Sequence, residues 1–260
     1  MKILNWNVDG IRSVIKRPTI LKNDILELQT FLNKYDIVAL QEIKIMEKNI
    51  IDIKKYINFK WMYFSVTSNS RAGVSVFSKI KANEIYTDHD IFGEGNEYSG
   101  RYIELHFDKF VYICVYQPNS GLDKLKTLDF RTNDWDNKFA ARIAELEKSN
   151  NEIIISGDMN VVKDETGTYN FKKQFNKLAG VTEREMYNFN MLLKTCKLMI
   201  NTPNKYTYFS HRFKSRENDK GMSIDYVLST KALSKKIKYV NILYDIYGSD
   251  HIPIEFSLSW

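Results

Sequence analysis

Short apolar runs and helical stripes alternate along the whole chain. Lys2–Asn7 and Ile37–Gln41 read as buried strands, and between them Ile25, Leu28, Phe31 and Leu32 recur at helical spacing across residues 20–34. Trp61–Val66, Val74–Phe77, Tyr102–Phe107 and Val111–Tyr116 are dense in aromatic and β-branched residues, which pack well on a pleated surface and predict strands. A helical pattern over 124–148 puts Ile143 and Leu146 on its apolar side, and Glu152–Ser156 is a strand running into Gly157. Thr182-Glu-Arg-Glu185 is a capping box, in which hydroxyl and carboxylate each satisfy a backbone N–H left free by the first turn, so a helix to about Cys196 follows. Strands return at Tyr206–Ser210, Ile224–Ser229, Lys238–Tyr244 and Ile254–Leu258.

No repeat, low-complexity tract or flexible linker interrupts this pattern. With only 4 Pro and 11 Gly, it predicts one compact α/β domain over residues 1–260. Two mixed sheets packed together with helices outside would bury all of these apolar faces.

Hydrophobic residues make up 43% of the 260, enough for a sizeable core and against disorder. The net charge of +6 and pI near 9.0 favour polyanionic partners through steering and affinity. Cys114 lies in an apolar run and Cys196 in a helical pattern, so both read as buried thiols and point to an intracellular, reducing compartment. MKILNWNVDG lacks the apolar stretch of a signal peptide, and no window approaches ~18 apolar residues, so no membrane segment is expected.

Candidate chemistry sits at the strand ends, where a rigid scaffold presents groups to solvent. Asn7 and Asp9 follow the first strand, Glu42 the second, and Asp158 and Asn160 the strand at 153–155, while Asp250 and His251 precede the last strand. Each alone has a bland reading as turn chemistry or a solvated strand end. Together they form an acidic pocket with one imidazole. Hard oxygen ligands imply Mg²⁺ or Mn²⁺, with Glu42 the first choice as ligand and Asp9 and Asp250 near the ion. Either Asp158, beside Asn160, or His251 could take a proton from an attacking water, and His251 could instead hold the phosphate. Tyr116 and Asn119, in Tyr116-Gln-Pro-Asn-Ser-Gly121, offer neutral donors beside a phosphate or form a plain turn.

Basic residues cluster at Arg12, Lys16 and Arg17, at Lys172, Lys173 and Lys177, and at Arg212, Lys214, Arg216 and Lys220. Such runs are commonly solvated faces, but these flank the candidate strand ends and would suit a phosphate-tracking rim. Aromatics around Tyr208 would make a pocket wall, a stacking platform or simply core. His89, His106 and His211 read as surface or structural.

These residues carry a resemblance over nearly the full length. Leu4-Asn-Trp-Asn-Val-Asp-Gly-Ile-Arg12, Leu40-Gln-Glu-Ile-Lys44, Tyr116-Gln-Pro-Asn-Ser-Gly121, Ser156-Gly-Asp-Met-Asn-Val161, Ala179-Gly-Val-Thr-Glu-Arg184, Ile224-Asp-Tyr226 and Gly248-Ser-Asp-His-Ile-Pro253 occur in order. The chain resembles the exonuclease III type of AP endonuclease, in the endonuclease/exonuclease/phosphatase superfamily. The resemblance implies a four-layer, DNase I-like α/β sandwich with two central mixed sheets flanked by helices. It implies Mg²⁺-dependent incision of duplex DNA 5′ to abasic sites, leaving a 3′-hydroxyl, with trimming of 3′ ends or 3′–5′ exonuclease activity commonly associated; a monomer is expected.

By position, Asn7, Asp9, Glu42 and Asp250 would lie at the metal, Tyr116 and Asn119 at the phosphate, and Asp158 and Asn160 at the water. Asp225 would pair with His251. Arg12, Lys16, Arg17 and Lys44 would face DNA, with Tyr208 and Met222 near the extruded sugar. Gly221-Met-Ser-Ile-Asp225 departs from the usual Gly-Trp-Arg-Ile/Leu-Asp, Leu122 replaces an Arg, and 164–178 lacks the usual Asn-rich contacts. These departures bear on substrate: abasic DNA, 3′-blocked ends or modified nucleotides. A relative acting on another phosphate ester, or a silent DNA-binding module, are the competing readings.

Overall fold

The computed structural model describes residues 1–17, 20–21, 27–93, 95, 97–121, 123–149 and 151–259. The first half of the chain contains β1 (Lys2–Asn7), α1 (Ile11–Ile15), α2 (Leu28–Leu32), β2 (Ile37–Gln41), α3 (Ile50–Ile53), β3 (Trp61–Ser65) and β4 (Val74–Ser78). It continues with β5 (Glu84–Thr87), α4 (Asp88–Phe92), β6 (Tyr102–Phe107), β7 (Phe110–Tyr116) and α5 (Asp136–Lys148). The second half adds β8 (Ile153–Asp158), α6 (Phe171–Gln174), α7 (Glu183–Thr195), β9 (Leu198–Ile200), β10 (Asp225–Thr230), α8 (Lys231–Ser234), β11 (Ile237–Ile242) and β12 (Ile254–Leu258).

Two six-stranded sheets result, in the orders β11-β12-β1-β2-β4-β3 and β5-β6-β7-β8-β10-β9. Each has a parallel pair at its centre, β1 with β2 and β7 with β8, and antiparallel neighbours outside it. Alternation along the strands sorts their side chains between two layers. Ile3, Ile37, Ala39, Tyr112, Cys114, Ile154 and Val227 face the other sheet and form the central core. Leu4, Trp6, Val38 and Leu40 point outward to meet Ile11, Val14, Phe31, Leu32 and Ile53 from α1, α2 and α3. On the far side, Ile153, Ile155, Val111 and Ile113 meet Phe139, Ile143 and Leu146 of α5 and Phe189 and Leu192 of α7. The protein is therefore a four-layer sandwich. Both cysteines are buried and free, and among the described residues no helix is long and apolar enough to cross a membrane.

The helix-capping reading at Thr182 is realised: its hydroxyl accepts from Glu185 N–H, and Glu185 in turn accepts from Gly180 N–H at 2.9 Å. Some expected elements differ. Residues 206–210 form no strand; Tyr208 makes only isolated bridges, to Met222 before β10 of one sheet and to His251 before β12 of the other, so the segment links the sheets without joining either. The helix expected from 124 begins at Leu128, passes through a π-helical stretch over Phe130–Trp135 and continues as α5 from Asp136. There the buried Arg131 guanidinium leaves the helix to donate to Pro118 O at 2.7 Å and Met159 O at 2.9 Å, tying down the loops after β7 and β8. The helix expected over 20–34 survives as α2, while Ile25 and the position of Leu122 lie outside the described residues.

Candidate active site

Because β1 and β2 run parallel, and so do β7 and β8, their C-terminal ends emerge along one edge of the sandwich. Register then aligns the polar residues: Asn7 lies opposite Gln41, and Asp158 lies between Tyr116 and Asp225. The inward face of each strand is apolar at its base and polar at its tip, as in Ile3–Asn5–Asn7 and Ile154–Ser156–Asp158. The inter-sheet core thus grades into a cleft of about 980 Å³.

Asn7 joins the two sheets at the cleft floor. Its buried amide donates to Glu42 Oε1 at 2.9 Å and to Asp158 Oδ2 at 3.0 Å. Asp158 Oδ1 accepts from Asn160 N–H at 2.8 Å, and the Asn160 amide donates to Gln117 O at 2.9 Å. Asn119, exposed above, donates to Asn160 Oδ1 at 3.1 Å. Tyr116 turns its ring under the Arg101 guanidinium, 5.0 Å away, and its hydroxyl toward Glu42. Asp9, Glu42, Lys44 and Asn160 all have left-handed backbones, with φ of 44°, 49°, 51° and 47°. For non-glycine residues this conformation costs about 1–3 kcal/mol each and persists where surrounding bonds over-determine it. Here Gly10 N–H to Glu42 O at 2.8 Å and Ile43 N–H to Gly73 O at 3.0 Å hold the two loops together.

Trp6 Nε1 donates to His251 O at 3.0 Å, and Ser249 Oγ donates to Asn7 O at 2.7 Å, fixing the segment before β12. His251 Nδ1 meets Asp225 Oδ2 at 2.9 Å, while Nε2 stands 3.8 Å from Asp158 Oδ2. Thr207 supports this pair from behind. Its hydroxyl donates to Asp225 Oδ2 at 2.7 Å and accepts from the Asp225 N–H at 3.0 Å. Burial pushes the Asp158 carboxyl well up, and the nearby Asp225 and Glu42 charges add to this against the opposing pull of His251. Burial alone would lower the pKa of His251, yet Asp225 and Asp158 outweigh it and hold the imidazole well above its ordinary value. The same desolvation raises the Tyr116 hydroxyl and the Asp250 carboxyl.

The donor set fits a divalent cation. Ligand atoms of Glu42, Asp158 and His251 lie within 4.8 Å of one another, as do those of Asp9, His211 and Asp250. Lys44 Nζ sits between Asp9 Oδ1 and Glu42 Oε2, so the floor already accommodates a positive charge among carboxylate oxygens. Lys44, expected on the DNA face, therefore turns inward as a counter-ion to these two acids. Arg12, Lys16 and Arg17 are exposed on and after α1, and Arg12 reaches back to Lys44 O at 3.4 Å.

Tyr208, Met222, Leu178 and Ile224 give the cleft an apolar wall. Met222 is buried with Val162, Val181 and Ile224, and its backbone pairs with Tyr208 through bonds of 2.9 and 3.0 Å. Tyr208 tilts over the His251 ring at 4.9 Å between centroids. Sequence reasoning misses two residues here, Thr207 and His211. Thr207 leaves only the buried phase of Tyr206-Thr-Tyr208 as a signal, and His211 leaves none, because both act through tertiary neighbours.

Residues 4–251 match the Endonuclease/Exonuclease/phosphatase family. The chain is 28% identical over 269 residues to an exodeoxyribonuclease of Bacillus subtilis (strain 168), covering 100% of both. It is 31% identical over 263 residues to a DNA-(apurinic or apyrimidinic site) endonuclease of Dictyostelium discoideum, covering 98% of this chain and 69% of that protein. Its fold is similar to a solved structure of a Neisseria 3′ phosphatase bound to a product DNA hairpin, with TM-score 0.83 and 19% identity over 100% of both chains.

Proposed function

This chain belongs to the endonuclease/exonuclease/phosphatase family and is a phosphodiester hydrolase, and on that premise we propose that it incises duplex DNA 5′ to abasic sites, leaving a 3′-hydroxyl. Trimming of 3′-blocked ends at the same site belongs to this reading, as does action as a monomer. The observation that carries it is the hydrogen-bonded chain Glu42–Asn7–Asp158 at the floor of one cleft, with the His251 of the Asp225–His251 pair 3.8 Å from Asp158. The DNA-directed names of the relatives support the choice of substrate over other phosphate esters.

In this reading Asp158 takes the proton of the attacking water. Bonds from Asn7 and Asn160 fix both of its oxygens, and the imidazolium of His251, 3.8 Å away, favours its ionised form against burial. His251, kept protonated by its carboxylate neighbours, donates to a phosphate oxygen, and Asp225 and Thr207 orient the ring for that. Tyr116 and Asn119 add neutral donors to the phosphate. A bound Mg²⁺ or Mn²⁺, held by Glu42, Asp9 and Asp250, would neutralise charge on the phosphate and the leaving oxygen. Arg12, Lys16 and Arg17 would track the DNA backbone, while Tyr208, Met222 and Ile224 would receive the extruded sugar. A sugar without a paired base costs little to extrude, which gives abasic selectivity a physical basis.

The test is incision of a labelled duplex carrying one abasic-site analogue, beside an undamaged duplex, in Mg²⁺ and in EDTA. A single Mg²⁺-dependent cut 5′ to the lesion is the expected result. Equal cutting of both duplexes, or none, would defeat the abasic reading and turn attention to 3′-blocked ends. DNA binding unchanged in EDTA with no cleavage in Mg²⁺ would indicate a silent binding module.

A further inference from the structure

His211 stands on the exposed rim beside the acidic floor, its side chain 63% exposed. Its Nε2 lies 3.6 Å from Asp9 Oδ2. Asp9 thereby divides its carboxylate: Oδ1 is held by Lys44, while Oδ2 looks toward His211 and Asp250. The loop that carries His211 is registered against the segment that carries Asp250. Tyr208 bridges His251, Phe209 N–H donates to Asp250 O at 2.8 Å, and Arg212 N–H donates to Ser210 Oγ at 3.2 Å. One stretch of backbone pairing therefore sets the imidazole and the second carboxylate on either side of the same space.

We propose that Asp9, His211 and Asp250 form a mixed nitrogen–oxygen metal site that takes Mn²⁺ or a later first-row divalent ion in preference to Mg²⁺. The inference rests on the metal-dependent reading above and adds His211 to the Asp9 and Asp250 ligands of that site, which decides which ions it takes. Donors bound to one ion at about 2.1 Å stand roughly 3–4 Å apart, so the His211–Asp9 separation suits a shared ion with little rearrangement. Mg²⁺ demands oxygen ligands in near-ideal octahedral geometry and gains little from an imidazole. Mn²⁺ is less strict in geometry than Mg²⁺ and is the first ion of a series whose affinity for a mixed nitrogen–oxygen site rises toward copper, the later members favouring imidazole. Even with Glu42 as a fourth protein ligand, a six-coordinate ion keeps positions open for water or a phosphate oxygen. The grouping uses neither Asp158 nor His251, so His251 stays free to keep its bond to Asp225.

The experiment uses the metal-stripped full chain and its His211→Ala and His251→Asn variants, titrated with Mn²⁺ and Mg²⁺ by calorimetry, with pulsed electron paramagnetic resonance on bound Mn²⁺. Wild type is expected to bind Mn²⁺ with a ¹⁴N coupling from a directly bound imidazole. His211→Ala should lose that coupling and weaken Mn²⁺ binding about tenfold or more, while Mg²⁺ affinity changes less than about twofold. His251→Asn should keep the coupling. A ¹⁴N signal that survives His211→Ala, or Mn²⁺ and Mg²⁺ affinities lowered equally by it, would overturn the assignment while leaving metal dependence standing. Failure of wild type to bind either ion would overturn both readings.

Discussion

Gly157 is the position where one carbon atom should separate fold from function. It pairs with Val115 across the parallel β7–β8 ladder and directly precedes Asp158. A Cβ at this position would stand 1.8 Å from Val115 O, 2.8 Å from Val115 C and 3.0 Å from Val115 N. A carbon settles about 3.3–3.6 Å from a carbonyl oxygen, so Gly157→Ala must open a gap of roughly 1.5 Å. All three obstructing atoms are backbone, and no rotamer change relieves them. The strands must part, stretching ladder bonds on either side. Overpacking of this kind costs about 1–3 kcal/mol and a weakened hydrogen bond about 1 more, so a loss of about 2–4 kcal/mol is expected. At 2–4 °C per kcal/mol the melting temperature should fall by roughly 4–16 °C. The catalytic effect should match the stability effect in size, at about 2.7 kcal/mol for a 10²-fold loss. Asp158 and Tyr116 sit at the tips of the two strands being forced apart, and a displacement near 1 Å in a site of this kind costs about 10²-fold in rate. The assay is turnover on the abasic duplex well below the melting point, with circular dichroism confirming the folded fraction. Turnover within threefold of wild type, at an unchanged melting temperature, would refute the argument that this contact sets the site.

Asp158→Asn should lower turnover by ~10³-fold or more while duplex binding persists, because it removes proton acceptance and little contact area; a near wild-type rate would remove Asp158 as the base. Arg17→Ala should weaken DNA binding and reduce the slope of log affinity against log salt by about 1, as loss of one phosphate contact does; an unchanged slope would take Arg17 off the rim. His251 has a folded pKa raised above its unfolded value of 6.5, so its stabilisation is fully present below about pH 6.5 and is lost as pH rises through the higher folded value. The melting deficit of His251→Asn should therefore be largest in mild acid and shrink in alkali; a deficit that grows with pH would contradict the imidazolium assignment.

The strands were legible wherever pattern and length agreed. Lys2–Asn7, Ile37–Gln41 and Ile254–Leu258 run as their apolar residues indicate, because a strand buried on both faces has almost no polar alternatives. The helix at Glu183–Thr195 was legible from its cap, whose bonds are local in sequence. The edge strands Glu84–Thr87 and Leu198–Ile200 were not, being too short and too exposed to show a period. Tyr206–Ser210 misled in the other direction: alternating aromatics look like a strand, but here Tyr208 lines the cleft and bridges Met222 and His251 through single pairs.

Sequence by itself determined the chemical inventory and its order: an acid or amide at the end of each central strand, an Asp–His pair before the last, and enough apolar alternation for two sheets. Those features follow from short-range rules of burial and turn geometry. Only the tertiary structure decided which of them meet. It turned Lys44 inward between Asp9 and Glu42, stood Thr207 behind Asp225, and brought His211 to Asp9. The physical reason is that strand direction and register, set by packing of the whole sandwich, convert separations of 18 to 202 residues into contacts of less than 4 Å. No local pattern records that conversion.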